Sequence, residues 1–567
     1  MYIDVVPNRN SPPAVLLRES YRKDGKVRKR TLSNLSHWPP EKVERLRQLL
    51  RGKTLVPADA LFSIERSWPC GHVRAVLGTM RRLELDRLIA SRPSRMRAIV
   101  MALIAERLLH PGSKLATTRS WHDSTLAEEL GVSDVRIEEV YSALDWILKR
   151  QGRIERKLAS RHLSEGGIAL YDLSSSSYFG RHCSLAKRGH NRDGLKGLPC
   201  IGYGLLTSGE GNPVSISVYP GNTGDPTTVP DQVEKLCHRF ALTKVILVGD
   251  RGMLTQSQLR VLKKHPGIGW ISALRSSSIR SLVEGEAIQM SLFDETNLAE
   301  ISSSDYPGER LIACFNPLLA EDRRRTRDEL LDATEKELEK IARAIARRKR
   351  KLLKKDEIGL RVGRIINRYK VAKHFRLTIE DNMLSWERRE TSIARETALD
   401  GLYVIRTSEP EEALSPEDAV RHYKRLALVE RAFRCLKGID LRIRPIWLRT
   451  ETHVRAHFFL CMLAYSVEAA MRKALSPLLF QDEQLEMDRL TRDPVAPAQP
   501  SSSVKRKKAT RTTIDGLPLH SFTTLLRHLA SLQRHRCRVE GDPSSPAFYK
   551  ETQPTPLQER AFQLLQV

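Results

Sequence analysis

The stretch GIALYDLSSSSYF, residues 167–179, leads an apolar run of β type into an acid, Asp172, and then into a row of serines. A second run, KVILVGDRGM at 244–253, repeats the arrangement with Asp250 at its end. Short apolar runs bounded by Gly and turn formers read as buried strands. Each acid is therefore expected at the end of a strand. If the two strands are neighbours, the acids share one edge of a sheet.

The segments between and after these runs decide whether they are neighbours. GLPCIGYGLLTSG (197–209) and VSISVYPG (214–221) read as strands joined by the turn EGNP, and GIGWISALR (267–275) as a further strand after KVILVGD. A helix is expected from about Thr228 to Phe240. Three strands that can form an antiparallel meander, then helix, strand and strand, give an α/β fold with a mixed sheet of the ribonuclease H-like type. That order sets the ends of the first and fourth strands side by side, with Asp172 and Asp250 on them.

The rest of the chain divides around this core. Residues 1–78 are expected to be a small basic module, with β-type runs AVLLRESYR and KVRKRTLSNL and a polar helix at PPEKVERLRQLL. Residues 79–165 are expected to be helical and to bind DNA, so that the fold carries a helical N-terminal DNA-binding region. There Ala127, Gly131 and Ser133 have the spacing of a helix-turn-helix, which two packed helices joined by a Gly turn also give. Residues 166–275 are expected to form the first part of the mixed-sheet core and 401–480 the second. A largely helical insertion at 276–400 separates them, with Leu331, Leu338, Ile345 and Leu352 at seven-residue intervals before a basic run. Residues 481–567 hold a Pro/Ser/Lys-rich linker, DPVAPAQPSSSVKRKKAT, and a C-terminal piece.

A third acid lies in YKRLALVERAFRCLK, residues 423–437. Tyr423, Leu426, Glu430, Phe433 and Lys437 recur at steps of three and four and so share one helical face. Glu is almost never buried without a partner, and the alternatives are a salt bridge with an Arg or a metal. Three carboxylates at one sheet edge repel one another, and two divalent cations, Mg²⁺ or Mn²⁺, reverse that penalty. Such a pair activates water or a DNA 3′-hydroxyl and stabilises the leaving oxygen. Arg431, Arg434, Arg442 and Arg444 flank the Glu430 helix, where a guanidinium can meet phosphate bidentately.

With these residues in view, the sequence resembles the DDE transposases of bacterial insertion sequences, in the IS4-like/IS1634-like branch marked by the signature Y-x2-R-x3-E-x6-K. Tyr423, Glu430 and Lys437 stand in place, and Leu426 occupies the position where the family often has Arg. ERLLHPGSKLA, YPGNTGD, LVGDRGM and RPIWLRTETHVRAHFFLCMLAY extend the resemblance over roughly residues 90–475. The resemblance implies that Asp172, Asp250 and Glu430 are catalytic and hold two metal ions, that Tyr423 and Lys437 contact DNA phosphates, and that a dimer pairs the element's ends. The implied reaction is cleavage at the ends and transfer of the 3′-hydroxyl into target DNA. A nuclease or resolvase of the same fold that cuts without joining, and a decayed transposase acting as a DNA-binding regulator, fit the same residues.

Composition points the same way. Lys and Arg number 95 against 68 Asp and Glu, a net charge of +27 spread along the chain, which calls for a polyanionic partner such as double-stranded DNA, both terminal repeats and target. The longest apolar stretch, FFLCMLAYSVEAA, is too short to span a membrane and is expected to be a core helix. MYIDVVPNRN lacks the charged head and apolar run of a signal peptide, so a cytoplasmic, nucleoid-associated protein is expected. The eight cysteines form no C-x-x-C pair and read as reduced thiols. Gly52-Lys53-Thr54 resembles the end of a P-loop without its first glycine, and His453 and His457 have zinc-protease spacing without the Glu, so neither nucleotide hydrolysis nor zinc is assigned.

Overall fold

The computed structural model describes residues 1–9, 11–53, 62–348, 352–496, 499–539 and 546–567. The chain divides into two compact units, Met1–Trp68 with Gln533–Gln553 and Pro69–Leu532 with Pro554–Val567.

The first unit is built mainly of strands. Tyr2–Val6, Ala14–Lys23 and Lys26–Asn34 form an antiparallel sheet, and the helix Pro40–Leu50 follows. The hairpin turns at Asp24-Gly25, both with positive φ (52° and 75°), the backbone that an Asp-Gly pair favours between strands. A second sheet pairs Phe62–Pro69 with Gln533–Val539, and that strand with Phe548–Glu551. The extreme N-terminus is therefore mainly strand, as its β-type runs suggest, and the fold description of a helical N-terminal region is corrected to that extent: the run of successive helices lies between Gly71–Arg82 and Gln151–His162. Thr54 of the P-loop-like triplet lies outside the described residues.

In the second unit, α1 (Arg95–Leu109) and α2 (Ile137–Leu148) pack together in the core. The proposed helix-turn-helix is a short helix, Leu126–Leu130, ended by Gly131 at φ +64° and followed by α2. The apolar face of α2, Val140, Ala143, Leu144 and Ile147, is buried, while its first turn presents Glu138 and Glu139. Glu139 is paired there with Arg95 at 2.6 Å.

The central sheet has eight strands: β1 (Gly167–Ser177), β2 (Cys200–Ser208), β3 (Pro213–Pro220), β4 (Val245–Gly249), β5 (Ile268–Ala273), β6 (Leu298–Ile301), β7 (Arg310–Phe315) and β8 (Leu402–Thr407). Their order is β6-β7-β8-β5-β4-β1-β2-β3. The pairs β1–β2 and β2–β3 are antiparallel, and β1–β4 and β4–β5 parallel, so the sheet is mixed. Its middle strands are buried along their whole length, which explains their nearly unbroken apolar runs.

The insertion is less helical than expected. Its first part contributes β6 and β7, which extend the central sheet through β8. The remainder packs α3 (Pro317–Ala346) over the helix Lys355–Ile365 and the hairpin Phe375–Glu380 with Met383–Arg388. Leu331, Leu338 and Ile345 are buried along α3, but the helix ends at Ala346 and Leu352 is exposed. Residues 349–351 of the basic run lie outside the described residues. The Pro/Ser/Lys-rich stretch is not merely a linker either. It contains the helix Ser502–Thr510, whose buried Lys507 donates to the carbonyls of Ser476, Leu479 and Gln481 and pairs with Glu483 at 2.6 Å.

Three helices complete the region around the acids: α4 (Pro416–Lys424), α5 (Leu426–Lys437) and α6 (Glu451–Ala474). Helix α6 is the apolar stretch noted in the sequence; it is long and apolar enough to cross a membrane, and it is buried in the core.

Candidate active site

The parallel register of β1 and β4 places Tyr171 opposite Gly249, where β4 ends. Asp172 is the next residue on β1, and Asp250 the first residue past the end of β4. Beyond this point β1 remains paired with β2, Asp172 opposite Leu205 and onward to Ser177 opposite Cys200. Asp172 is thus not at a strand end, as expected from the serines that follow it; it stands where β1 loses its neighbour on one side only. Ser174–Ser177 are buried in the sheet, and Ser176 Oγ lies 3.0 Å from the Tyr203 hydroxyl, so the serines read as a loop but behave as strand. The carboxylates are oriented locally: Asp172 Oδ1 accepts from the N–H of Leu173 and Asp250 Oδ1 from that of Arg251, each at 2.7 Å.

Glu430 comes from the helical side, near enough for its charge to act on Asp172. The expected single helix is two, α4 and α5, meeting at Arg425. Val429, Ala432, Phe433 and Leu436 bury one side of α5, with the Phe433 ring edge-on to Tyr203 of β2 at 5.6 Å. Glu430 is exposed, not in the buried stripe where periodicity put it. The hydroxyl of Tyr423 on α4 donates to Asp250 Oδ1 at 3.4 Å.

The electrostatics tie the three acids together. Burial pushes the Asp172 carboxyl up to about 7, and the negative charges of Asp250 and Glu430 push in the same direction. The Leu173 N–H and the Arg192 guanidinium oppose them. Burial also raises the Tyr423 hydroxyl, with Asp250 adding to the effect. The donors are carboxylate oxygens only, the hard-ligand chemistry that fits Mg²⁺ or Mn²⁺. Among the described residues, the group with three ligand atoms within 4.8 Å of one another is elsewhere: Cys435, Asp440 and Glu468. Arg472 already occupies that cluster, 2.6 Å from Glu468 and 3.1 Å from Asp440.

The loop after β1 packs back against that strand. Arg192 pairs with Asp225 at 2.5 Å, and its N–H donates to Ser175 Oγ at 2.9 Å. Asp193 is buried and accepts the Ser177 N–H at 2.8 Å. It pairs with Lys437 at 3.2 Å and with Arg444, while Lys437 also donates to the Ser175 carbonyl at 2.7 Å. Tyr423 and Lys437, expected on DNA phosphates, are therefore engaged by the protein, as is Arg444. Arg431, Arg434 and Arg442 are exposed and have no acidic partner among the described residues. The one sequence signal for Asp193 is its place in HNRDG, which reads equally well as a turn. His457 is buried with Nε2 3.0 Å from the Ile443 carbonyl, and His453 lies 3.4 Å from Asp145.

Comparisons with known proteins place the chain in a family. The family described as Transposase DDE domain matches residues 181–467, which includes Asp250 and Glu430 and begins just after Asp172. The family described as IS1634 family transposase, N-terminal domain, matches residues 3–58. No curated protein matches the chain. Among solved structures, the piggyBac transposase synaptic complex with hairpin DNA is similar at 10% identity, over 81% of this chain and 82% of that one, with a TM-score of 0.33. The chain belongs to the DDE transposases, with the N-terminal domain of the IS1634 family.

Proposed function

We propose that this chain cuts DNA at the ends of its insertion sequence and joins the freed 3′-hydroxyl to target DNA, using Asp172, Asp250 and Glu430 to hold two divalent cations, Mg²⁺ or Mn²⁺. The observation that carries the reading is the pairing of β1 with β4, which brings Asp172 and Asp250 to the point where the two strands part, with Asp250 and Glu430 both acting on the Asp172 carboxyl. We read the sheet around them as a ribonuclease H-like core, with β1–β5 in its strand order. Bound cations at such a site supply activation of the attacking oxygen and charge stabilisation on the leaving one.

The chain's own residues do the rest. Asp172 offers a carboxylate whose ionisation is costly without a cation beside it. Tyr423 holds the carboxylate of Asp250 by its hydroxyl, and α5 presents Glu430 from outside the sheet. Lys437 and Arg444 act as positioning residues, clamping Asp193 and with it the loop that brings Arg192 toward Asp172. The exposed Arg431, Arg434 and Arg442 are placed for phosphodiester oxygens, which a guanidinium engages through paired N–H donors. A dimer on paired ends, working in the cytoplasm at the nucleoid, completes the proposal.

The test uses purified full-length protein, Mg²⁺ and labelled DNA carrying the terminal repeats, with Asp172→Asn in parallel. Cleavage at the ends and joining to a target plasmid are expected, both lost in the variant. Cleavage without joining would make the protein a nuclease, and unchanged activity in D172N would remove Asp172 from the site.

A further inference from the structure

A cavity of about 640 Å³ opens between the C-terminal end of α1, the loop Pro111–Leu115, the segment Arg442–Arg449 and the first turns of α6. Its walls carry five cationic side chains, Arg107, Lys114, Arg442, Arg444 and Arg449, of which Arg444 is paired with Asp193, and no acidic one. Two of these are buried, Arg107 at 6% and Lys114 at 7% exposure. Arg107 donates to neutral acceptors, the carbonyls of Leu441, Arg442 and Gly112. Lys114 has one hydrogen-bond partner among the described residues, Nδ1 of His457 at 3.5 Å. With the Ile443 carbonyl accepting from Nε2–H, that imidazole is neutral and its Nδ1 is the acceptor for the ammonium.

Two buried cations without a carboxylate between them are costly, and the usual remedies are deprotonation or a bound anion. Burial, reinforced by Arg107, already brings Lys114 down to about 7. The rim of the cavity is aromatic: Trp447 is 60% exposed, with its ring 5.6 Å from that of Phe179, and Tyr141 lies against His453 at 4.9 Å. Positive charge in a recess and a free ring face at its mouth suit a phosphate carried on a nucleoside.

We propose that this cavity is a phosphate-binding site that takes a nucleotide, with the phosphate at Lys114 and Arg107 and the nucleoside against Trp447. That the nucleotide belongs to a DNA strand rests on the strand-transfer reading above; the site itself does not. It requires none of the three acids and no cation.

The test is calorimetric titration of metal-free, full-length protein with thymidine 5′-monophosphate, inorganic phosphate and thymidine. The monophosphate is expected to bind, inorganic phosphate more weakly, and thymidine not measurably. Lys114→Met, of similar length and without charge, is expected to weaken monophosphate binding by about tenfold or more, the worth of one charged hydrogen bond. Trp447→Ala, at an exposed position that leaves the fold intact, is expected to weaken the monophosphate and leave inorganic phosphate unchanged. Equal affinities for phosphate and monophosphate, with no effect of W447A, would overturn the nucleotide assignment. Absence of phosphate or monophosphate binding at millimolar concentration, or binding untouched by K114M in a variant that melts as the parent does, would overturn the site. Because the titration contains no divalent ion, its failure is distinct from a failure of cleavage.

Discussion

In protein without divalent cations, ionising Asp172 means charging a largely desolvated carboxylate beside Asp250 and Glu430. Its ordinary value of 3.8 applies to the unfolded chain and a value of about 7 to the folded one. The folded state is therefore favoured by this group below about pH 4, loses that contribution as the pH rises toward 7, and stays at the lower level above it. Asp172→Asn removes the loss. Each pKa unit is worth about 1.4 kcal/mol, reduced here because some water reaches the partly exposed Asp172, so the metal-free variant is expected to gain on the order of 2 kcal/mol at pH 8 and nothing at pH 4. Urea denaturation of both proteins at the two pH values checks it, and a variant less stable than the parent at pH 8 would contradict it. Asp172 and Asp250 were legible in the sequence because each follows an apolar run. Asp193 was not: its value comes from Lys437 and Arg444, which approach from a helix and a loop more than two hundred residues away in the chain.

Helix α5 turns packing into function. Phe433 lies one turn beyond Glu430, and its ring contacts Tyr203, itself 4.6 Å from Phe458 of α6. Truncating a buried Phe costs about 3–5 kcal/mol, so Phe433→Ala is expected to destabilise the protein by that amount and to slow cleavage even where the fold persists. Phe433→Leu is expected to keep most of both. Chemical denaturation and cleavage rates measured together check this; a destabilised F433A with unimpaired cleavage would separate the helix anchor from Glu430. The period of α5 was readable but its buried face was not, since the stripe through Glu430 shares only Phe433 with the buried Val429, Ala432, Phe433 and Leu436; nor was the break at Arg425, because the three-and-four spacing of Tyr423, Leu426 and Glu430 continues across it. The serine run of β1 misled for the opposite reason: Ser reads as loop, yet a central strand accommodates it when side-chain partners such as the Tyr203 hydroxyl are present.

Over the whole molecule, a chain of net charge +27 holds Asp172 in its central sheet under the negative charges of Asp250 and Glu430. Such an arrangement disfavours the isolated protein and favours the one loaded with cations and phosphates. The order of β1–β5 was readable from runs and turns along the sequence. The extension of that sheet by β6 and β7 was not, since pairing with β8 joins residues about a hundred positions apart, and nothing local announces it. Crystals of the full-length protein soaked in Mn²⁺, with anomalous scattering recorded at the manganese edge, test the central claim most directly. Two anomalous peaks bounded by the carboxylates of Asp172, Asp250 and Glu430 are expected. No peak among these acids, or manganese confined to Cys435, Asp440 and Glu468, would contradict it.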